Sequence, residues 1–283
     1  MKTYLKIFFV VLVCCLFISL FNNIALAENN NVLDYKELKN EIIATTKHAE
    51  LHIEKEYITE EEIYNIADKI EKGIKDLKNY LGDYNKYDFK EFGKIKYFIK
   101  SGNEISHALR DSNSIELYHV HLKQSPYIHE TAHILLDENQ FETPESWLVE
   151  GLPEYLNAKF ANYPKELLGN KNNPDKLSQK YIKNSKYKAV LDYFPTKFHR
   201  NADERWAFYS FAGSFVKFIE KNYGKEKLLK LYQLKRKKTA TISALEDSEE
   251  KNLETKEGVK QLLGKSLEDL KEEWINSLKS RGT

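Results

Sequence analysis

The stretch 125–136, SPYIHETAHILL, sets the strictest condition on any fold of this chain. Its apolar residues recur at helical spacing, and the Ser-Pro pair at its start is typical of the first turn of a helix. His129 and His133, four residues apart, then project from nearly the same side of that helix, one turn above the other. Glu130 points about 100° further round the helix. The fold must therefore bury the apolar side of this helix and keep two imidazoles and a carboxylate together.

Two imidazoles at this spacing indicate a metal site. Both can reach one zinc ion at about 2.0–2.1 Å, while Glu130 can meet a water on the metal instead of binding the metal. The alternative is that His129 and His133 are helix-surface histidines with acidic neighbours. The sequence favours the zinc site, because five residues supply two ligands and a base.

A third ligand is needed, since catalytic zinc sites usually combine three protein ligands with a water. Glu150 is the predicted third ligand, because the chain between His133 and Glu150 is long enough for one turn and a return by a second helix. In the segment 147–155, WLVEGLPEY, three apolar residues are predicted to bury one face of that helix: Trp147, Leu148 and Leu152.

Two further carboxylates lie near these ligands in the sequence. Glu154 shares the polar face with Glu150 and is predicted to accept the remaining ring N–H of a ligating histidine, which orients that ring. The alternative is a solvated helix glutamate. Asp137, four residues beyond His133, is a competing ligand or orienting group, although ordinary polarity at a helix end is the favoured interpretation.

Residues 1–27 have the layout of a secretory signal peptide. Two lysines precede an apolar run, and the small-residue ending Ala-Leu-Ala predicts cleavage after Ala27. The apolar run is shorter than the roughly 20 residues that span a bilayer. We therefore expect a secreted, extracellular protein without stable membrane insertion after cleavage; an uncleaved anchor is the alternative.

The charge balance bears on the kind of partner, and the positions of the cysteines bear on disulfides. The chain carries 44 Lys and Arg residues against 43 Asp and Glu residues, a balance that indicates neither nucleic acid nor an anionic membrane as partner. Both cysteines, Cys14 and Cys15, lie in the leader. The mature chain is therefore expected to have no disulfides, so burial or a bound metal must stabilise it.

Patterns typical of strands come early in the sequence. Alternating polar and apolar residues predict strands within 48–58, 94–100 and 114–122. A capping box at Thr59 opens a long amphipathic helix, and a further short helix is predicted near 35–43. Strands therefore dominate the part of the chain that precedes and includes the histidine motif.

Helical spacing prevails later, most clearly over 203–222 and 267–278. The expected class is α+β, with a small mixed-sheet N-terminal lobe and a mainly helical C-terminal lobe. The predicted divisions are a signal peptide over 1–27, a flexible N-terminal segment over 28–46 and one domain over 47–283, in which 47–140 is the sheet lobe with the zinc helix and 141–283 the helical lobe.

The motifs HETAH (129–133) and WLVEGLPEY (147–155) together resemble those of the gluzincin zinc metallopeptidases, in particular their peptidase-MA-like branch. In that family the glutamate of the W-L-x-E-G motif is the third zinc ligand, which implies this role for Glu150. The resemblance covers 48–224 and includes FYSFAGSFVKFIEKNYG, where a tyrosine precedes small residues that open an apolar helix. It implies a thermolysin-like catalytic domain with the zinc cleft between its two lobes.

The sequence departs from the family pattern at two points. Pro153 stands where family members more often have a helix-forming residue, so the helix that holds Glu150 is expected either to start late or to kink there. The Gly-Ala-Met-Glu-Asn segment of the related aminopeptidases is absent from the sequence. An endopeptidase is therefore the expected enzyme.

The resemblance implies hydrolysis of peptide bonds in a peptide or protein substrate, with one Zn²⁺ per chain. Glu130 is expected to act as general base toward a zinc-activated water. Tyr209, or alternatively His199, is expected to donate a hydrogen bond to the developing oxyanion. The other interpretation of Tyr209 is packing in an aromatic core with Trp206, Phe208 and Phe211.

The strand over 114–122 is expected to form the edge of the cleft and to pair with an extended substrate. His119 and His121, together with His199, are then candidate residues of the substrate cleft, and a surface position is the alternative. Two other functions stay open: an exported, zinc-stabilised binding module without turnover, and an exported toxin or regulatory protease with one target. The sequence predicts no oligomeric state.

Overall fold

The computed structural model describes residues 34–55, 57–118, 120, 125–136, 146–161, 173–195, 202–233 and 249–280. Over these residues the chain is a mixed α+β protein, with a six-stranded mixed sheet from its N-terminal part and a mostly helical remainder. The predicted fold class is confirmed at this level. The predicted signal peptide lies outside the described residues, and so does the beginning of the segment predicted to be flexible, residues 28–33.

Six strands form the sheet: β1 (Asp34–Glu37), β2 (Glu41–Thr45), β3 (Ala49–Glu54), β4 (Ile95–Ile99), β5 (His107–Leu109) and β6 (Ser114–Leu117). Their order in the sheet is β1-β2-β3-β4-β6-β5. β4 pairs in parallel with both β3 and β6, whereas the other neighbours are antiparallel. Among the described strands, β1 and β5 are therefore the edges.

The helix predicted near 35–43 is wrong, because this part of the chain forms β1, β2 and the turn between them. Ile42 and Ala44 are buried while their neighbours in β2 are partly exposed, which is the alternation of a half-buried strand. The Leu38 N–H closes the turn on the Glu41 carbonyl. Pairing of β2 with β3 thus overrides the local preference of the sequence.

Nine helices are described: α1 (Glu60–Leu81), α2 (Tyr127–Leu136), α3 (Ser146–Phe160), α4 (Pro174–Ile182), α5 (Lys188–Tyr193), α6 (Ala202–Tyr223), α7 (Lys225–Tyr232), α8 (Glu249–Leu263) and α9 (Leu267–Ser280). The helices predicted over 203–222 and 267–278 are confirmed as α6 and α9. In the described ranges, none of the helices combines the length and the apolar character that crossing a bilayer requires.

Helix α1 packs on one face of the sheet, as its apolar periodicity predicts. Thr59 and Glu62 form the predicted capping box, in which each side chain bonds the backbone N–H of the other residue. The apolar side of the helix and the inward residues of the strands are fully buried together: Ile63, Ala67, Ile74 and Leu77 with Leu51, Ile53, Tyr97 and Ile115. The core of the N-terminal part therefore lies between α1 and the sheet.

Helix α2, which carries the two histidines, is buried along its whole length. It contacts α1, α3 and the β5–β6 end of the sheet. The Tyr97 hydroxyl of β4 lies 2.8 Å from Thr131 Oγ1, and the Thr131 hydroxyl itself donates to the Tyr127 carbonyl. Tyr97 is therefore the donor to Thr131, and this hydrogen bond fixes α2 to the sheet midway between its two histidines.

Helices α3 and α6 cross so closely that glycine is required on both sides of the contact. A Cβ atom at Gly151 of α3 would lie 2.8 Å from the Ala212 carbonyl oxygen, and one at Gly213 of α6 would lie 2.8 Å from Glu154 Cγ. Real Cβ atoms do not approach other atoms this closely, since interiors are already packed to contact. The crossing therefore fixes the backbone of α3 directly beside Glu150.

Pro153 lies inside α3, which starts at Ser146 and continues through the proline to Phe160. Of the two expected alternatives, a late start is excluded, since the helix begins before Glu150. The fixed φ of proline is compatible with a helix, so Pro153 removes one hydrogen bond, to the Val149 carbonyl, without ending the helix. The apolar face of α3 is fully buried, as predicted: Trp147, Leu148 and Leu152.

A buried glutamate joins α1 to the turn between β2 and β3. Glu71 is fully buried. Its carboxylate accepts hydrogen bonds from the Thr46 hydroxyl at 2.8 Å and from the His48 backbone N–H at 3.0 Å, and it lies 2.7 Å from Nδ1 of the His48 ring. Burial alone would raise the pKa of Glu71, but the hydrogen bonds from His48 and Thr46 outweigh it and lower that pKa.

We expect Glu71→Gln to lower the free energy of unfolding at pH 7 by about 1–3 kcal/mol, because the donors around the carboxylate lose a charged acceptor. Since the folded-state pKa is lowered, the stabilisation by Glu71 is fully present above the ordinary carboxyl pKa of 4.5 and is lost as the pH falls through the folded-state value. Urea unfolding at pH 7 and pH 3 should therefore show a difference from wild type that shrinks in acid. Glu61→Gln, at an exposed position of the same helix, is the control; a Glu71→Gln deficit of equal size at both pH values would contradict the expectation.

Candidate metal centre

His129 and His133 lie next to each other in the interior, as their spacing predicts. Their side chains are almost fully buried, and their Nε2 atoms are 3.1 Å apart. At this separation either one ring nitrogen donates a proton to the other, or both face a cation. The two rings meet at an interplanar angle of 70°, so both nitrogens converge on one space beside α2.

Glu150 completes a triangle with the two imidazoles. Its Oε2 lies 3.4 Å from Nε2 of His129 and 3.6 Å from Nε2 of His133. The potential ligand atoms of these three residues all lie within 4.8 Å of one another, and no second group of this kind occurs in the described part of the chain. The group His129, His133 and Glu150 could therefore bind a metal ion.

The pKa values of His129 and Glu150 are shifted in opposite directions, and both shifts favour the charged form. Burial would lower the pKa of His129, but its contacts with the carboxylates of Glu150 and Glu154 raise it well above the ordinary value. Burial would likewise raise the pKa of Glu150, but the neighbouring His129 and His133 lower it. Glu150 is therefore ionised at neutral pH, which is the state that a metal ion requires of a carboxylate ligand.

Glu130 lies beside the triangle but is not one of its three members. Burial raises the pKa of Glu130, and the charges of His129 and His133 offset this only in part. The backbone N–H of Ala108 donates to the Glu130 carboxylate. A carboxylate held in place next to potential metal ligands, with its pKa raised, is suited to accept a proton from a water.

Ala108 also belongs to the site, although the sequence does not predict it there. It lies in β5, which has only three residues and lies between polar residues. A polar and apolar alternation that covers only three residues is too short to predict a strand. The contact depends on the antiparallel pairing of β5 with β6, which places Ala108 opposite Ile115.

Glu154 lies one helical turn beyond Glu150 and reaches the other side of the His129 ring. Its Oε2 is 3.4 Å from Nδ1 of His129, so it can orient the ring whose Nε2 faces Glu150. The Glu154 side chain packs directly on Gly213 of α6. The structure thus places the partly exposed Glu154 carboxylate beside His129, on the opposite side of the ring from Glu150.

Tyr209 of α6 also faces His129, with the centroids of the two rings 6.0 Å apart. The neighbouring rings of Phe208 and Phe211 point into the core and pack on Phe194 instead. Tyr209 itself is partly buried against the same core and meets Trp206 at 5.9 Å between ring centroids, so its ring also makes the packing contacts of the alternative interpretation.

The hydroxyl of Tyr209 keeps its proton at neutral pH. Burial raises the pKa of Tyr209, and the negative charge of Glu150 raises it further, while the charge of Arg205 acts in the opposite direction. A protonated phenol beside a group of carboxylates can donate a hydrogen bond to a developing negative charge.

The prediction that the strand over 114–122 forms an edge is wrong. Among the described strands, β6 lies inside the sheet between β4 and β5, and β5 is the edge strand next to α2. The physical reason is the pairing of β5 with the side of β6 that would otherwise be open. Four residues singled out by the sequence lie outside the described residues: His119, His121, Asp137 and His199.

Comparison of the sequence with models of known protein families and with curated proteins finds no match. The resemblance of its two motifs to the gluzincins therefore stays a prediction. The geometry of His129, His133 and Glu150, with Glu130 beside them, is the physical basis for any function assigned to the centre.

We expect Glu150→Ala to abolish high-affinity binding in a Zn²⁺ titration, because two imidazoles alone leave the ion short of one ligand and of one negative charge. Glu154→Ala should weaken binding less, by about 10–100-fold, since it removes only the acceptor that orients His129. Glu257→Ala, at an exposed position of α8, is the matched control. Wild-type zinc affinity in Glu150→Ala would remove Glu150 from the site.

Proposed function

We propose that this protein is a secreted zinc-dependent metallopeptidase of the gluzincin type that acts as an endopeptidase. The observation that carries the proposal is the ligand triangle His129, His133 and Glu150 with the buried Glu130 directly beside it. The leader pattern of residues 1–27 supports export, and the near-neutral charge balance supports a peptide or protein substrate over a nucleic acid.

Zinc is the metal that fits the three residues best. A tetrahedral ion with bonds of about 2.0–2.1 Å holds its ligand atoms about 3.3–3.4 Å apart. The separations between the three ligand atoms here are 3.1, 3.4 and 3.6 Å. Two imidazoles and one carboxylate are also a ligand set typical of catalytic zinc, and they leave the fourth position to water.

When bound, zinc supplies an acidified water and a polarised substrate carbonyl. Glu130 takes the proton of the attacking water and then delivers it to the nitrogen of the leaving amine. Burial keeps the pKa of Glu130 above its ordinary value, which favours the first of these two transfers. The hydrogen bond from Ala108 holds the carboxylate in one orientation during both transfers.

The edge strand β5 is the surface on which we expect the substrate backbone to align. No described strand pairs with the outer side of β5, and Ala108 at its centre contacts the proposed general base. An extended peptide added to this edge would bring its carbonyl groups past Glu130. β5 therefore takes the role that the sequence analysis gave to the strand over 114–122.

Tyr209 supplies the remaining group that the reaction needs. Negative charge grows on the carbonyl oxygen as the water attacks, so a donor placed in advance stabilises the transition state more than the substrate. Tyr209 faces His129 from α6 and keeps its proton. Glu154, by contrast, touches no reacting atom in this mechanism and acts through the orientation of His129.

We expect Glu130→Gln to retain zinc and the native fold while peptide hydrolysis falls by about 10²–10⁴-fold, the contribution typical of a positioned general base. The measurement is cleavage of a broad peptide library, with zinc content determined on the same samples. Wild-type activity in Glu130→Gln would exclude the mechanism. If neither protein cleaves any peptide, the result favours the alternative of a zinc-stabilised binding module.

Tyr209→Phe keeps the ring and removes only the hydroxyl. We expect kcat to fall by about 10²–10³-fold, with zinc content and thermal unfolding almost unchanged. His199→Ala is the comparison variant, because His199 is the other candidate donor in the sequence. If Tyr209→Phe cleaves as fast as wild type while His199→Ala is inactive, the role belongs to His199.

A further inference from the structure

Trp206 stands out from the other two tryptophans of the chain by its exposure. Trp147 and Trp274 are fully buried in the core, whereas Trp206 is 51% exposed. An indole is one of the largest apolar surfaces that a protein can hold, and leaving half of it in water forgoes a substantial gain from burial. Single exposed apolar side chains are common on protein surfaces, so the inference depends on where Trp206 lies.

The position of Trp206 connects it to the candidate metal centre. Its ring meets Tyr209 at 5.9 Å and an interplanar angle of 87°, and the Tyr209 ring is in turn 6.0 Å from that of His129. Because Tyr209 and Trp206 meet at nearly a right angle, Tyr209 leaves at least one face of the indole uncovered. Three rings thus lead from the metal ligands out to solvent.

We propose that the open face of Trp206 binds an aromatic or large aliphatic side chain of the substrate and so determines which peptides are cleaved. This inference rests on the proposed peptidase function and names the class of substrate for it. A substrate backbone aligned at the centre would carry its side chains past Tyr209 toward the indole, where an apolar side chain is removed from water on contact.

A cationic side chain is the other ligand that an indole face attracts. The charges around Tyr209 do not select a cation, because Arg205 and the carboxylates of Glu150, Glu130 and Glu154 act on it with opposite signs. An aromatic or aliphatic side chain gains from leaving water on the indole face whatever these charges are, and a lysine peptide tests the cationic alternative directly. Burying a side chain of this size contributes a factor of about 10–100 in binding, so the preference should be measurable.

The first test measures binding without turnover. Iodide ions quench exposed indoles, so in the zinc-loaded Glu130→Gln protein the quenchable emission comes from Trp206, because Trp147 and Trp274 are fully buried. The probes are three nonapeptides of Ala, Gly and Ser that differ only in a central Phe, Ala or Lys. We expect the Phe peptide to protect Trp206 from iodide and the Ala and Lys peptides to protect it at least tenfold less at equal concentration. Equal protection by the Lys peptide, or none by the Phe peptide, would overturn the inference.

The second test compares rates in the protein with an intact Glu130. We expect wild type to cleave the Phe peptide with a kcat/KM about 10–100-fold above that of the Ala peptide. Trp206→Ala should bring this ratio close to one, and Trp206→Phe should restore part of it because an aromatic face remains. Phe92→Ala, which removes an exposed ring that packs on Tyr87 instead, should leave the ratio at its wild-type value.

The two tests separate this inference from the proposed function. If peptides are cleaved but Trp206→Ala keeps the wild-type ratio, the substrate class is wrong while the peptidase stands. If no peptide is cleaved but the Phe peptide still protects Trp206, the peptidase function fails and the indole is the contact of a binding protein. If peptides are neither cleaved nor protective, both are overturned.

Discussion

The close crossing of α3 and α6 is the contact on which the candidate metal centre depends. Gly151 and Gly213 allow the two backbones to meet where any side chain would collide with the opposite helix. This contact fixes the position of α3, and with it the distance of the Glu150 and Glu154 carboxylates from the histidines of α2. Helix α2 is fixed separately, by the Tyr97–Thr131 hydrogen bond to the sheet. Two independent contacts therefore hold the two helices whose side chains form the candidate metal centre.

The centre also concentrates charge that would be costly to bury in any other arrangement. Two imidazoles face three carboxylates, those of Glu130, Glu150 and Glu154, and the pKa values of His129 and Glu150 move in opposite directions as a result. Isolated buried charges destabilise a fold, whereas charges that face a partner on each side do so far less. A bound cation would satisfy the carboxylates that the two rings satisfy only in part.

Much of the fold could be predicted from local patterns, and the misses in the sheet have one physical cause. The capping box of α1, the apolar face of α3 and the spacing of His129 and His133 are properties of single helices, so the sequence reveals them. The hairpin of β1 and β2 and the edge strand β5 are held by pairing with distant strands. No local pattern records such pairing, and for that reason the helix near 35–43 was predicted wrongly and Ala108 was not recognised at all.

One helix carries groups that differ in their roles. Along α6, Trp206 faces solvent, Tyr209 faces His129 and Gly213 supports Glu154. Because these residues share a single helix, any displacement of α6 would move all three together. A shift of this one element would therefore change the surroundings of the His129 ring and of the Glu154 side chain at the same time, without any movement of α2.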